Sequence, residues 1–261
     1  MKHYCIFLKK ELFESVKTFK LLVMGIAFLF FGMLSPLTAK FTPEILKWAI
    51  ESDATIDPAL AAALAAMPKP TALNPWAEFY SNMTMGMFVL VIVFSGMLAS
   101  ELSRGTLTII LTKGISRANI LLSKATCAAL IWTGSLAAAF LTCLGYTVYL
   151  FPETVPHLLF AIFTLWMFGL FLLAATTLFA ALTSKGYVCM VLVGAFAFVL
   201  SLANIIPKVA RYNPITLSMS GYEIITEDTT FSNLYPALII CGVSVVLMII
   251  TAVTVFNKSK L

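Results

Sequence analysis

An all-α membrane protein with six transmembrane helices is the fold this sequence predicts, on three observations. Of its 261 residues, 61% are hydrophobic and only 11% are charged, against roughly 45–50% apolar and about 25% charged in an average soluble domain. So few charges cannot solvate a protein surface, and the bulk solvent must be lipid. Six uncharged runs reach the roughly 20 residues that a helix needs to cross a bilayer core. They cover residues 21–39, 79–100, 125–151, 156–182, 187–206 and 234–256. Nothing alternates at period two as the strands of a membrane barrel do, and the charges collect between the runs.

Those charges orient the chain. Lys2, Lys9, Lys10, Lys17, Lys20, Arg104, Lys113, Arg117, Lys124, Lys185, Lys258 and Lys260 fall on one side, and only Lys40, Lys47, Lys69, Lys208 and Arg211 on the other. The positive-inside bias then places both termini in the cytoplasm and the chain in the cytoplasmic (inner) membrane. Nine of the twelve acidic residues fall on the opposite side. The net charge of +5 is spread over loops rather than pooled on one face, which argues against nucleic acid as a partner. A cleaved signal peptide is the competing reading of the first run, but the basic segment before it and the run itself are both long for one.

Residues 1–20 form a short basic amphipathic segment ahead of the first span. Cys5, Leu8, Leu12, Val16 and Phe19 recur at spacings of three and four, so they share one helical face. Lys10 and Glu14 make an i,i+4 pair. An interfacial helix is expected, its apolar residues toward acyl chains and its lysines toward anionic headgroups. The rest, 21–261, forms the six-span domain. Its first outer loop, 40–78, is expected to be a small cap whose Ala-rich stretch 58–67 is a short helix opened by Asp57 and Pro58. The outer loop 207–233 has a turn signal at Tyr212-Asn213-Pro214 and an apolar middle, 215–225, expected to form a short extracellular helix at the interface.

Within the spans, Gly86, Ser95, Gly96, Gly134, Ala138, Gly145 and Gly194 are expected to mark close helix contacts. Cys127, Cys143, Cys189 and Cys241 read as small packing residues. The spans hold essentially no Asp, Glu, Lys or Arg, whereas ion-coupled carriers place ionisable groups at membrane depth.

The informative stretch is the basic loop between the second and third spans, ELSRGTLTIILTKGISRANILLSK, residues 101–124. Leu107, Ile110 and Leu111 sit at i, i+3, i+4, so 104–113 can form a short helix with an apolar edge. Lys113 suits its C-terminus and Gly114 the position after it. Ser116 caps the next helix. On charge alone, Glu101, Arg104, Lys113 and Arg117 read equally well as a solvated loop and topology signal.

This stretch resembles the permease subunits of ATP-binding cassette exporters of the ABC-2 type. In that family an acidic residue precedes Arg-Gly-Thr-Leu, a Leu-rich stretch, a Lys-Pro-hydrophobic-Ser-Arg turn and a helix ending in Lys. Here the counterparts are Glu101, Arg104-Gly105-Thr106-Leu107, Ile109–Leu111, Lys113-Gly114-Ile115-Ser116-Arg117 and Lys124. Gly114 departs from the family's proline. The resemblance implies that 104–113 is a coupling helix docking on a cytoplasmic P-loop ATPase through Glu101, Arg104, Gly105, Thr106, Leu107, Ile110, Leu111, Lys113, Ser116 and Arg117. It implies a lesser contact at Ser184 and Lys185, and an elbow helix on the inner leaflet at residues 1–20. A second permease chain is implied across the second and fifth spans, as a homodimer before a heterodimer.

The sequence carries no GxxxxGK[ST] phosphate loop, HExxH or GxSxG. The chain is therefore expected not to be an enzyme and to hold no cofactor, with ATP and Mg bound by the partner. The expected function is export of hydrophobic or amphipathic cargo, a toxin-like or antimicrobial peptide before a drug. The alternatives are a non-transporting membrane anchor or sensor subunit and, behind it, a secondary carrier.

Overall fold

In the computed structural model, residues 2–52, 70–99, 101, 116–183, 185–226 and 231–258 are described. They are mostly helical, with no strand among the described residues. The helices are α1 (Lys2–Lys17), α2 (Lys20–Ser52), α3 (Leu73–Ser95), α4 (Arg117–Leu150), α5 (Leu158–Leu182), α6 (Gly186–Ala203), α7 (Pro207–Ala210), α8 (Thr216–Met219), α9 (Gly221–Ile225) and α10 (Phe231–Lys258). Six of these, α2 to α6 and α10, are long and apolar enough to cross a membrane.

The spans differ from the sequence reading at their ends. α2 does not stop at residue 39 but continues to Ser52 through Pro36 and Pro43. Pro36 and Pro43 cannot donate to the Gly32 and Ala39 carbonyls one turn back, while hydroxyls nearby add bonds to other carbonyls of the same helix. Ser35 donates to the Phe31 carbonyl at 2.7 Å, and Thr38 to the Leu34 and Ser35 carbonyls at 3.0 and 2.9 Å. α3 begins at Leu73 rather than near 79, after Asn74 accepts hydrogen bonds from the Thr71 N–H and hydroxyl at 2.9 and 3.0 Å. The expected helix at 58–67 lies outside the described residues. α4 starts where Ser116 accepts a hydrogen bond from the Asn119 N–H at 3.3 Å, which satisfies one of the free donors of a helix N-terminus.

α5 is the central helix, with 56% of its most apolar stretch buried, against 11% for α6 and for α10. α10 packs on α5 and α4, α6 on α5 and α3, and α2 on α4 and α3. The short helices α8 and α9 close one end of the bundle over α5, burying Leu217, Ile224 and Ile225. Two asparagines hold that closure. Asn213 donates to the Leu200 carbonyl at 2.7 Å and accepts from the Ile215 N–H, while Thr216 donates to Asn204 at 2.9 Å.

A ring-into-glycine series runs across the core. The edge of Phe28 on α2 fills the space over Gly86 on α3 and meets Trp132 on α4 edge-on, with ring centroids 5.4 Å apart. The Trp132 ring in turn lies over Gly169 on α5, and its indole N–H donates to the Trp166 carbonyl at 3.2 Å. Gly32 of α2 meets the Ala139 backbone of α4, where an added Cβ would stand 2.5 Å from the carbonyl oxygen. Gly86 was among the glycines expected at helix contacts. Gly134, Gly145 and Gly194 face open space instead, and further close approaches fall at Gly32, Gly169, Gly186 and Gly221. Spacing along one helix cannot show which side its neighbour occupies. Among the cysteines, Cys127, Cys143, Cys189 and Cys241 are buried and Cys5 is exposed, all as free thiols.

Gly169→Leu would drive a side chain into Trp132 and is expected to cost about 1–3 kcal/mol by overpacking, read as a lower thermal unfolding midpoint in detergent. Gly194→Ala, where nothing lies within 4 Å, is expected to leave the midpoint unchanged or raise it.

Candidate functional site: the basic end of the bundle

The loop singled out in the sequence is flanked by described residues on both sides, whereas Arg104, Gly105, Thr106, Leu107, Ile110, Leu111 and Lys113 lie outside the described residues, as does Ser184. Its first anchor is Glu101. After α3 the chain turns over residues 96–98, and the Glu101 N–H donates to the Leu98 carbonyl at 3.2 Å. Its second anchor is the start of α4, where Arg117 donates to the Phe256 carbonyl in the last turns of α10 at 3.2 Å. A guanidinium there satisfies a carbonyl near a helix C-terminus. The turn before α6 closes on the same end, for a Cβ on Gly186 would stand 3.0 Å from the Cα of Gly96. Beside it Lys185 is exposed, its ammonium 6.0 Å from the Tyr187 ring centre.

α1 crosses this end. Tyr4 donates to Thr126 at 2.7 Å, Glu11 pairs with Lys124, and Ser15 contacts Cys127 at 3.4 Å. Tyr4 and Ser15 are about 16 Å apart along α1, yet their partners lie within one turn of α4. α1 therefore runs across α4 rather than alongside it, and Phe19, in a left-handed conformation at φ 60°, breaks the helix before α2. The face packed on the protein is Phe7, Glu11 and Ser15, at i,i+4 spacing, all buried. Leu12, Val16 and Phe19 point outward, joined by Ile6 and Phe13, while Leu8 is half-buried against the core.

The middle of that buried face is charged. Lys124 Nζ donates to Glu11 Oε2 at 2.9 Å and Glu101 Oε1 at 3.0 Å, and all three side chains are at most 8% exposed. Lys10 Nζ reaches Glu11 Oε1 at 3.0 Å, Glu14 Oε2 at 2.8 Å and the same Glu101 oxygen at 3.1 Å. The carboxylates of Glu11, Glu14 and Glu101 come within 4.8 Å of one another, a spacing that could hold a cation. Here two ammonium groups supply that charge, and Lys20 lies near enough to feel Glu11 and Glu14. For Lys10, burial works against the charged form, but the bond to Glu14 and the charges of Glu11 and Glu101 outweigh it and raise its pKa. For Glu14, burial again opposes the charge, and the bond and charge of Lys10 prevail, lowering its pKa below 4.5.

Glu11, Glu14 and Glu101 are all the acidic residues that the charge count assigned to the basic side, and every one joins this cluster. The span expected at 125–151 is part of the longer helix α4, which also takes in Lys124, 5% exposed. In the sequence a lysine at the edge of an apolar run reads as an orientation signal. The sequence signal was the presence of three acidic residues, Glu11, Glu14 and Glu101, on an otherwise basic side.

A family model described as ABC-2 family transporter protein matches residues 5–261. The chain belongs to the ABC-2 transporter family. No curated protein sequence matches it. ABC-2 membership supports a permease subunit of an ABC transporter, a multi-pass membrane protein that works with lipid and a partnering ATP-binding subunit. The basic end of this ABC-2 protein thus combines an anchored loop, a crossing helix and a buried ion cluster.

Lys124→Met would leave Glu11 and Glu101 buried without their shared ammonium and is expected to cost about 3–5 kcal/mol, measured as loss of thermal stability. Lys185→Met, at an exposed site, is expected to stay within about 0.5 kcal/mol. The raised pKa of Lys10 stabilises the docked α1 below the ordinary lysine value and is lost in strong alkali, and the lowered pKa of Glu14 stabilises it above 4.5 and is lost as acid protonates the carboxylate. The anisotropy of a fluorophore on Cys5 is therefore expected to hold from about pH 5 to about pH 9 and to fall in stronger acid.

Proposed function

We propose that this chain is the membrane-spanning permease of an ATP-driven exporter, with segment 104–113 as the coupling helix that a separate ATPase drives. The observation that carries the reading is that both flanks of the loop are tied into the bundle at one end, Glu101 to α1 and α4, and Arg117 to α10. A push on such a loop reaches three helices at once. The apolar edge formed by Leu107, Ile110 and Leu111 docks on the ATPase, with Glu101, Arg104, Lys113 and Arg117 around it and Ser184 and Lys185 as the lesser contact. ATP and Mg bind to that partner.

By the positive-inside bias, this end and both termini are cytoplasmic. The outward apolar residues of α1 then lie in the inner leaflet, with its lysines at the headgroups. A second permease chain, as a homodimer before a heterodimer, packs on the surface shared by α3 and α6. In support, Met85, Phe88 and Ile92 on α3 and Val191, Phe198 and Val199 on α6 are exposed apolar side chains on adjacent helices. Cargo passes out along that seam as two arrangements of the helices exchange, and the ATPase must contact the coupling helix differently in each. Apolar walls suit a hydrophobic or amphipathic peptide first and a drug next.

Leu107→Asp and Leu111→Asp are each expected to abolish cargo-stimulated ATP turnover in reconstituted liposomes while the spans stay folded. Unchanged turnover would refute the coupling role. A permease that binds the ATPase yet shows no cargo-dependent turnover or uptake would be an anchor or sensor subunit instead.

A further inference from the structure

Resting on the coupling role just proposed, we infer that Glu101 is a positioning residue through which movement of the coupling loop is passed to α1, so that the crossing helix is a moving part of the transporter and not a passive membrane anchor. Four observations converge on it. Glu101 is the last described residue before the loop, and it is buried. One of its oxygens accepts from both Lys10 on α1 and Lys124 on α4, at 3.1 and 3.0 Å. Glu11 repeats the bridge from the α1 side, one oxygen to each lysine. Finally, α1 crosses α4 over a single turn, so the cluster is the hinge point of the contact and a displacement there swings the whole of α1.

The geometry also explains why this link is ionic. Apolar contacts between helices tolerate sliding, because one methyl group replaces another at little cost. A buried ammonium held by two carboxylates does not, since separation leaves an uncompensated charge in a low-dielectric setting. Glu101 therefore cannot move away from Lys10 and Lys124, and those lysines must follow it. Glu101→Gln is the informative change. It cuts the charge link to the loop while Lys124 keeps Glu11, and Lys10 keeps Glu11 and Glu14, so α1 stays docked.

The test uses the permease together with the ATP-binding subunit that co-purifies with it, in lipid nanodiscs. Nitroxides are placed on Cys5, the exposed native cysteine of α1, and on Leu182→Cys, an exposed position at the end of α5. Electron–electron distance measurements compare the nucleotide-free complex with the one trapped by ATP and vanadate. The expected result is a shift of the distance distribution in the parent protein and a loss of most of that shift in Glu101→Gln. Glu101→Asp, which keeps the charge, is expected to restore part of the shift. Ser15→Ala, which removes a contact of α1 that does not involve the loop, is expected to retain it. A Glu101→Gln protein that shifts like its parent overturns the inference. So does a parent protein whose α1 stays still while ATP turnover still depends on Leu107, and in that case the coupling role survives. Indifference of ATP turnover to Leu107→Asp fells the coupling role and this inference together. A thermal midpoint of Glu101→Gln close to that of its parent is expected, and a collapse of the midpoint would overturn the inference in favour of a purely structural tie.

Discussion

Lys124 stands seven residues into a helix that goes on to cross the membrane, and its ammonium is shut away from water. An ion in that position is tolerated only with opposite charge within hydrogen-bond range. Glu11 and Glu101 supply it, and they come from two separate parts of the chain that both precede α4, the helix α1 and the turn after α3. Much of the architecture of this end follows from that single requirement. α1 must lie where Glu11 can reach, the chain after α3 must turn where Glu101 can reach, and the loop must begin from that fixed place. Lys10 then shares the two carboxylates and recruits Glu14.

The remainder of the bundle is held by a different kind of contact. Lipid removes the hydrophobic drive between helices, so association depends on close packing and hydrogen bonds. Phe28 over Gly86, Trp132 over Gly169 and Gly32 against Ala139 are such contacts, and each joins α2 or α4 to a neighbour. The hydrogen bond from Asn82 on α3 to Ser35 on α2, at 3.0 Å, adds a polar tie on the same helix pair. The two kinds of contact divide the molecule. Shape complementarity builds the apolar interior, and charge builds the end where a partner is proposed to act.

How much of this could be read from the residues depends on whether the signal is local. The apolar runs were legible because hydrocarbon thickness acts on each helix separately, and Ser116 was legible as a cap because its partner lies three residues on. The i,i+4 pair of Lys10 and Glu14 was visible for the same reason. The extension of α2 past Pro36 and Pro43 was not, because proline reads locally as an ending. The face of α1 that packs on the protein was not legible either. The apolar stripe stands out in periodicity, yet the protein takes Phe7, Glu11 and Ser15 inward and leaves Leu12, Val16 and Phe19 outside.

By itself the sequence determined that the chain lies in lipid, that it is helical, how many times it crosses and which loop carries a family motif. Each of these follows from composition, run length or residue order, which need no knowledge of neighbours. Tertiary structure alone decided which glycines receive an aromatic ring, which face of α1 is buried and that Glu11, Glu101 and Lys124 meet. These depend on contacts between residues tens to more than a hundred positions apart, where separation along the chain carries no information and only the packing of whole helices brings the groups together.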